Sequence, residues 1–399
     1  MKIVQINSFS NGSTGKIMMN IHKELQKQGF DSYVVWGRGR KSENNHEIYL
    51  NDKIGVYFHA LYARLTGKVG FASKRSTKKL LKRLDEIKPD IIHLHNIHGY
   101  YINIELLFNY IRENNIKVIW TLHDCWPFTG QCPYFTFVDC SKWKTQCDKC
   151  HMLNEYPKTL KDNSRSNYLK KKNLFTGLNI TIVTPSEWLS KLVKQSFLKE
   201  YPVKVINNGI DLSIFKPIKS DFRKKYNIEN KKIILGVAGV WDRRKGLSDF
   251  LELSKHLDND KYQIVLIGLS KKQLKNLPSN IIGMTRTENQ RQLVEIYSAS
   301  DVLFNPTYED NYPTVNIEAL ACGTAVLSYD TGGSIEFVKF IKNNDKVKYI
   351  IKKNDIVHNV SIVKNYINTI TNSKLNIIDL YLLDERKMND EYLKLYEEE

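Results

Sequence analysis

Short aliphatic runs alternate with amphipathic stretches along the whole chain. In the first half, Lys2–Asn7, Ser32–Trp36, Ile91–His95, Val118–Leu122 and Ile180–Thr184 carry the strand pattern. Helical periodicity covers Gly15–Gln28 and Glu105–Asn114 between them. Aliphatic strands separated by helices describe a parallel sheet covered on both faces. The pattern then starts again. Strands are predicted at Lys232–Val237, Tyr262–Ile267, Asn280–Ile282, Val302–Phe304 and Ala325–Ser328, with helices at Ser248–Leu257, Leu293–Ser298 and Val315–Ala321. Turn formers at Asn207-Asn208-Gly209 interrupt the periodicity between the halves. The expected fold is therefore α/β, with two Rossmann-like, doubly wound domains covering residues 1–208 and 209–383. A charged helix over 384–399 offers Met388, Tyr392, Leu393, Leu395 and Tyr396 for packing. Such sheets bind ligands beyond the carboxyl ends of their strands, so a cleft between the halves is the expected site.

The length of 399 residues agrees with two cores rather than one. Formal net charge is +17, which nucleic acid, an anionic membrane surface or a phosphorylated substrate would each favour. Two basic stretches are densest, Lys74 to Arg83 and Lys158 to Lys172. Each alone reads as the solvated face of a helix; together they suggest peripheral contact with a membrane. No nucleic-acid module accompanies them, so no nucleic-acid partner is expected. The start of the chain reads as a buried strand rather than a secretion signal, and no apolar run is long enough to span a bilayer. A cytoplasmic protein, peripheral at the inner face of the cell membrane, is the expectation.

The richest chemistry lies between Asn305 and Glu336. A strand ends near Phe304, a polar loop carries Glu309, Asp310, Asn311 and Tyr312, and Pro313 opens a helix that closes at Gly323. Free amides at the helix start, around Thr314 and Val315, suit a phosphate. Asp310 and Glu318 stand eight positions apart. A second loop, Gly239-Val240-Trp241-Asp242-Arg243-Arg244-Lys245-Gly246, follows the strand Lys232–Val237 and concentrates cations. Cations there would stabilise the negative charge of a departing diphosphate.

These segments resemble the signature of retaining GT-B glycosyltransferases of family 4, which implies that the helix over 384–399 crosses back to pack on the N-terminal domain. The resemblance implies that the first acid contacts the donor sugar and that Glu318 binds the ribose. Asp310 takes the first position, with Glu309 beside it able to share that role. It also implies that Lys245 holds the diphosphate. Val240 stands where the family carries an arginine, so Arg243 or Arg244 must supply the second cation. Thr285 and Arg286 fall where the family lines its nucleobase pocket, and Gly332-Gly333 match a glycine turn near the donor.

In the first half, Gly12 and Gly15 belong to a glycine turn that opens a helix after the first strand. Ser10 and Ile17 replace residues that a P-loop requires, so ATP cradling is disfavoured. His95, Asn96, His98 and Tyr100 follow one strand, and His123 and Asp124 follow the next. His123 resembles the family histidine that contacts the donor sugar. Asp124 would orient that imidazole or an acceptor hydroxyl, and the His95 group would face the acceptor. Cys132, Cys140, Cys147 and Cys150 end in a C-x2-C pair. In a cytoplasmic protein these cysteines read either as structural zinc or as buried thiols. No cofactor is expected for catalysis.

The resemblance, with its bacterial exopolysaccharide and capsule subgroup, implies transfer from a nucleotide sugar, UDP before GDP. The implied acceptor is a glycan hydroxyl, lipid-linked. A GT-B-type nucleotide-sugar epimerase and a basic nucleic-acid-binding protein are the alternatives.

Overall fold

The computed structural model describes residues 1–398 apart from 43, 51, 342–349, 353–355 and 371–378, and apart from the side chains of 356–358 and 370. Seven parallel strands form the first sheet: β1 (Lys2–Phe9), β2 (Asp31–Arg38), β3 (Glu47–Tyr49), β4 (Ile91–Leu94), β5 (Lys117–Thr121), β6 (Ile180–Thr184) and β7 (Val203–Val205). Their order is β3-β2-β1-β4-β5-β6-β7. The chain thus winds one way from β1 and the other way from β4. That reversal leaves a crevice beyond the carboxyl ends of β1 and β4. The glycine turn after β1 and the histidine segment after β4 both sit there.

The second sheet repeats the device with six parallel strands: β8 (Lys232–Val237), β9 (Tyr262–Ile267), β10 (Ile281–Met284), β11 (Val302–Asn305), β12 (Ala325–Tyr329) and β13 (Ile350–Ile351). In the order β10-β9-β8-β11-β12-β13 the reversal falls between β8 and β11. The loops after these two strands are the cationic loop and the acidic loop. Connectivity alone therefore brings Lys245 beside Asp310.

Each sheet is aliphatic on both faces because helices cover both sides; Ile3, Val4, Ile6, Val34 and Val35 are all solvent-free. The strands absent from the sequence reading are β3, β7 and β13. Each is an edge strand of two or three residues, too short to show an alternating pattern.

Two compact units result, Met1–Asn207 with Asn389–Glu399, and Asn208–Met388. The helix Glu385–Glu398 therefore begins in one unit and ends in the other. Its buried tyrosines explain the return: the Tyr392 hydroxyl lies 2.9 Å from Thr121 Oγ1, and the Tyr396 hydroxyl bonds His93 Nδ1. His93 Nε2 in turn meets Thr121 Oγ1 at 2.8 Å. No helix among the described residues is long and apolar enough to cross a membrane.

Candidate active site

In the second unit, the loop after β8 is shaped by Asp242, whose Oδ1 accepts the backbone amides of Arg244 and Lys245 at 3.0 and 3.2 Å. This turns both cations toward the loop after β11. Gly246 makes the approach possible: its φ is +72°, and a Cβ there would stand 2.2 Å from the Pro306 carbonyl oxygen. Arg244 donates from Nη1 to the Glu309 carbonyl at 2.6 Å and lies 3.8 Å from Asp310 Oδ1. Lys245 Nζ is ion-paired with Asp310 Oδ2. Burial of Asp310 works against its charge. Lys245 and Arg244 outweigh that penalty and hold its carboxyl below the usual range.

The candidates that the sequence left open differ in their surroundings. Asp310 aims its carboxylate at the cations, whereas Glu309, fully buried, offers Arg244 its backbone carbonyl. Arg244 is drawn inward, while Arg243 is exposed. Val240 is 71% exposed and supplies no charge. The Asp310 carbonyl accepts the Gly333 amide at 2.9 Å, which ties the second glycine turn to the acidic loop.

Pro313 caps the helix Thr314–Ala321, with Asn311, Tyr312 and Pro313 buried and Thr314 and Val315 half-buried at its start. Glu318 lies one turn into that helix and accepts a hydrogen bond from the Tyr297 hydroxyl at 2.9 Å. Tyr297 was invisible to sequence reasoning: it reads as a packing residue of its helix until the fold places it against Glu318. Asp249 was missed as well. It is buried and accepts hydroxyls from Tyr308 at 2.8 Å and Tyr329 at 2.6 Å. Thr285 and Arg286 are exposed just beyond the edge strand β10.

In the first unit, Gly15 cannot carry a side chain, because a Cβ would stand 2.6 Å from the Ser10 carbonyl carbon. Gly12, at φ +73°, opens the turn. His95 Nδ1 lies 3.1 Å from His123 Nε2, with the two rings stacked, and its Nε2 lies 3.2 Å from Gln5 Oε1. Burial lowers His123 to about 4, against a partly offsetting pull from Asp124, and burial drives His95 still further below its ordinary value. Both imidazoles are neutral at pH 7, and both ring nitrogens of His95 are already engaged within the protein.

The Asp124 carboxylate is engaged by His98 Nε2 at 2.8 Å and by the Trp126 amide at 2.9 Å. Asp124 thus holds His98, from the loop after β4, besides lying next to His123 in sequence. Burial opposes the charge of Asp124, and His98 more than compensates, so its carboxyl sits below the usual range. Tyr156 completes this group, with its hydroxyl 3.2 Å from His98 Nδ1 and its ring edge-on to Tyr100. The Asn96 amide is held by Asn7 Oδ1 at 3.2 Å.

The four cysteines Cys132, Cys140, Cys147 and Cys150 face one cavity of about 130 Å³. Cys150 bonds the Cys132 thiol and, with burial, pushes it well up; burial likewise raises Cys147 to about 11. Cys150 is lowered to about 7, chiefly by its bond to Cys132. Among the described residues, no group of three or more His, Cys, Asp or Glu is arranged to hold a metal ion. As they stand, the four sulfurs line one cavity without being grouped as metal ligands, and no step below passes through a metal.

Residues 14–214 match the family model described as Glycosyltransferase Family 4, and residues 218–368 match that of Glycosyl transferases group 1. The chain belongs to glycosyltransferase family 4. This family 4 transferase is 26% identical over 362 residues to the Escherichia coli K12 protein named as the colanic acid biosynthesis glycosyl transferase WcaC, covering 85% of each chain. It is also 30% identical over 217 residues to a Campylobacter jejuni N,N'-diacetylbacillosaminyl-diphospho-undecaprenol alpha-1,3-N-acetylgalactosaminyltransferase, covering 50% of this chain and 55% of that one. The crystal structure of Anabaena HepE in complex with UDP shares its fold, with a TM-score of 0.65 at 14% identity over the full length of both chains.

Proposed function

We propose that this enzyme moves a glycosyl unit from a nucleotide sugar, UDP-linked before GDP-linked, to a hydroxyl of a lipid-linked glycan in cell-surface polysaccharide synthesis, with retention of anomeric configuration. The observation that carries the reading is the meeting of Lys245, Arg244 and Asp310 beside the start of the helix that bears Glu318. The names of the relatives support polysaccharide synthesis and a polyprenyl-linked acceptor, and the UDP complex of HepE supports the donor class.

In this reading the donor diphosphate, more highly charged than a carboxylate, takes Lys245 and Arg244 from Asp310. The freed carboxylate then accepts a hydroxyl of the sugar. Helix-start amides at Thr314 and Val315 share the phosphate charge, and Glu318, steadied by Tyr297, accepts the ribose hydroxyls. The bond from the anomeric carbon to the phosphate oxygen breaks as charge collects on the diphosphate. The acceptor hydroxyl attacks from the same face, and its proton passes to that phosphate oxygen. The first unit contributes the acceptor-facing groups, His95, Asn96, His98 and Tyr100, while His123 and Asp124 serve the reacting sugar.

A panel of nucleotide sugars, screened for thermal stabilisation and then for transfer to a polyprenyl-diphosphate-linked acceptor, tests the proposal. One donor family should raise the melting temperature and be consumed. The proton coupling at the new anomeric centre should match the donor configuration. Inverted product would overturn retention, and consumption of donor without acceptor would overturn transfer. Glu318→Ala should raise the apparent Kd for that donor by about 10- to 150-fold, the span of a charged hydrogen bond worth roughly 1.5–3 kcal/mol. Unchanged affinity in the folded variant would remove Glu318 from the donor site.

For the cysteine segment we propose zinc capture, supported by four sulfurs lining one cavity. The sulfurs must draw together for it. Elemental analysis of protein purified without chelator should find one zinc per chain; four reactive thiols and no metal would make the segment a thiol cluster.

A further inference from the structure

The helix Lys53–Thr66 presents its apolar residues to solvent. Ile54, Tyr57, Phe58, Leu61, Tyr62 and Leu65 are 37–78% exposed, and they recur at helical spacing along one side. The opposite side rests on the first unit through buried His59 and Ala63. His59 is itself fixed by Ser73 Oγ at 2.8 Å and by the Gly70 amide at 3.3 Å, so the outward stripe is held in place. A globular surface rarely gathers so much apolar side chain on one short helix without something to cover it.

The neighbouring segment extends the face and charges it. The Leu160 amide donates to the Arg64 carbonyl at 2.7 Å, and Asn163 and Asn167 donate to the carbonyls of Thr66 and Gly67 at 2.5 and 2.7 Å. Leu160, 67% exposed, therefore sits at the end of the apolar stripe. Along the same segment, Lys158, Lys161, Arg165, Lys170 and Lys172 are exposed, with Asp162 the one acid between 158 and 172. The helix Lys53–Thr66 contains no acidic residue and carries Lys53 and Arg64. By contrast, the basic helix Lys74–Ile87 turns its apolar residues Leu80 and Leu84 into the core and exposes only charge.

We propose that this face docks on an anionic lipid bilayer, with the helix Lys53–Thr66 lying in the plane of the headgroups. Tyr57, Phe58, Leu61 and Leu65 enter the acyl boundary. The cations between Lys158 and Lys172 meet lipid phosphates. Aromatic residues with polar tips suit the interface, and an apolar stripe beside a cationic rim is what in-plane anchors need. The proposal rests on the reading of a lipid-linked acceptor, because such an acceptor resides in a membrane.

Sedimentation of the full-length protein with acceptor-free vesicles tests the surface. Vesicles of equal parts phosphatidylcholine and phosphatidylglycerol should bind it at least tenfold more tightly than phosphatidylcholine alone. High salt should weaken the anionic binding. Tyr57→Ser/Phe58→Ser/Leu61→Ser should lose at least tenfold in vesicle affinity while UDP still raises its melting temperature. Lys158→Glu/Lys161→Glu should lose several-fold. Phe58→Trp should keep binding and gain fluorescence that brominated acyl chains quench beyond the wild-type level. Equal binding by the triple variant, or no added quenching in Phe58→Trp, overturns the proposal. Dimerisation in ultracentrifugation that the triple variant abolishes, with no vesicle binding by the wild type, would make a second copy of the chain the occupant. Transfer to a water-soluble acceptor reads the catalytic proposal separately, so either can fail while the other stands.

Discussion

Lys245→Ala is expected to lower transfer by about a hundredfold to a thousandfold, the range for loss of one preorganised group that stabilises charge in a transition state. The side chain is placed by three features that survive the substitution: the Asp242 cap, the positive φ of Gly246 and the Pro306 carbonyl packed against that glycine. The loop should therefore keep its shape, and the loss should fall on the chemistry. Asp310 will feel the change directly. It keeps Arg244 at 3.8 Å but loses its closest cation, so its carboxyl titrates at higher pH than in the parent. Lys245→Arg should recover part of the rate, because charge is retained while the geometry shifts. Arg243→Ala should cost far less, since that side chain is exposed. The measurement is kcat for donor turnover in each variant, with a thermal melt to confirm the fold. Full turnover in Lys245→Ala would move the phosphate contact to Arg244 alone.

The second large effect is loss of stability in mild acid. Burial lowers His22, His59 and His123 to about 4 and His93 to about 3, and it lowers His95 further still. Each has a folded pKa below its unfolded value near 6.5. The unfolded chain therefore takes up protons first. The stability these five contribute is present above pH 6.5 and falls as the pH drops toward the folded values. Each group contributes a slope of about 1.4 kcal/mol per pH unit in that window. All five slopes have the same sign, and His93, His95 and His123 pack against one another, so the combined fall is steeper than that of any single imidazole. The lowered carboxyls of Asp124 and Asp310 act only below their unfolded value of 3.8 and add no slope here. The melting temperature between pH 8 and pH 5 should fall more steeply below pH 6.5 than above it. Above pH 6.5 the buried Lys171 amine, held well below its ordinary value by burial, already favours proton uptake by the unfolded chain. Most of the loss should arise in the first unit, which holds all five histidines. His22→Gln should flatten the fall by about one proton. A melting temperature constant between pH 6.5 and 5 would contradict the burial of these imidazoles.

The strands β6, β8 and β9 begin and end where the hydrophobic pattern placed them, and the other strands and helices it placed lie within a few residues, while the long helices Lys53–Thr66 and Ile356–Ile370 were not placed. That agreement has a local cause: alternation of side chains and helical repeats are properties of neighbours in sequence. The motif residues were equally visible as types. Lys245-Gly246 and Pro313 to Glu318 carry their chemistry in order along the chain, and the resemblance to family 4 rests on them. What sequence order cannot contain is which residues of a set meet. Asp310 and Lys245 are 65 positions apart, and their pairing depends on β8 lying next to β11. That the Asp310 carboxylate meets Lys245, and that Arg244 rather than Arg243 lies half-buried beside it, follows from how the two turns direct their side chains. Asp124 meets His98 because β4 and β5 are neighbours in the sheet. His93 is claimed by Tyr396, 303 residues away, and so belongs to the packing of the last helix. The helix Lys53–Thr66 makes the same point on the surface: its apolar repeat specifies a face, but only the packed fold shows that this face is left outside. Local pattern determined the elements and the inventory of reactive groups in this glycosyltransferase. Tertiary structure decided which groups are paired, buried or exposed, because those depend on strand order and on contacts that no stretch of chain holds by itself.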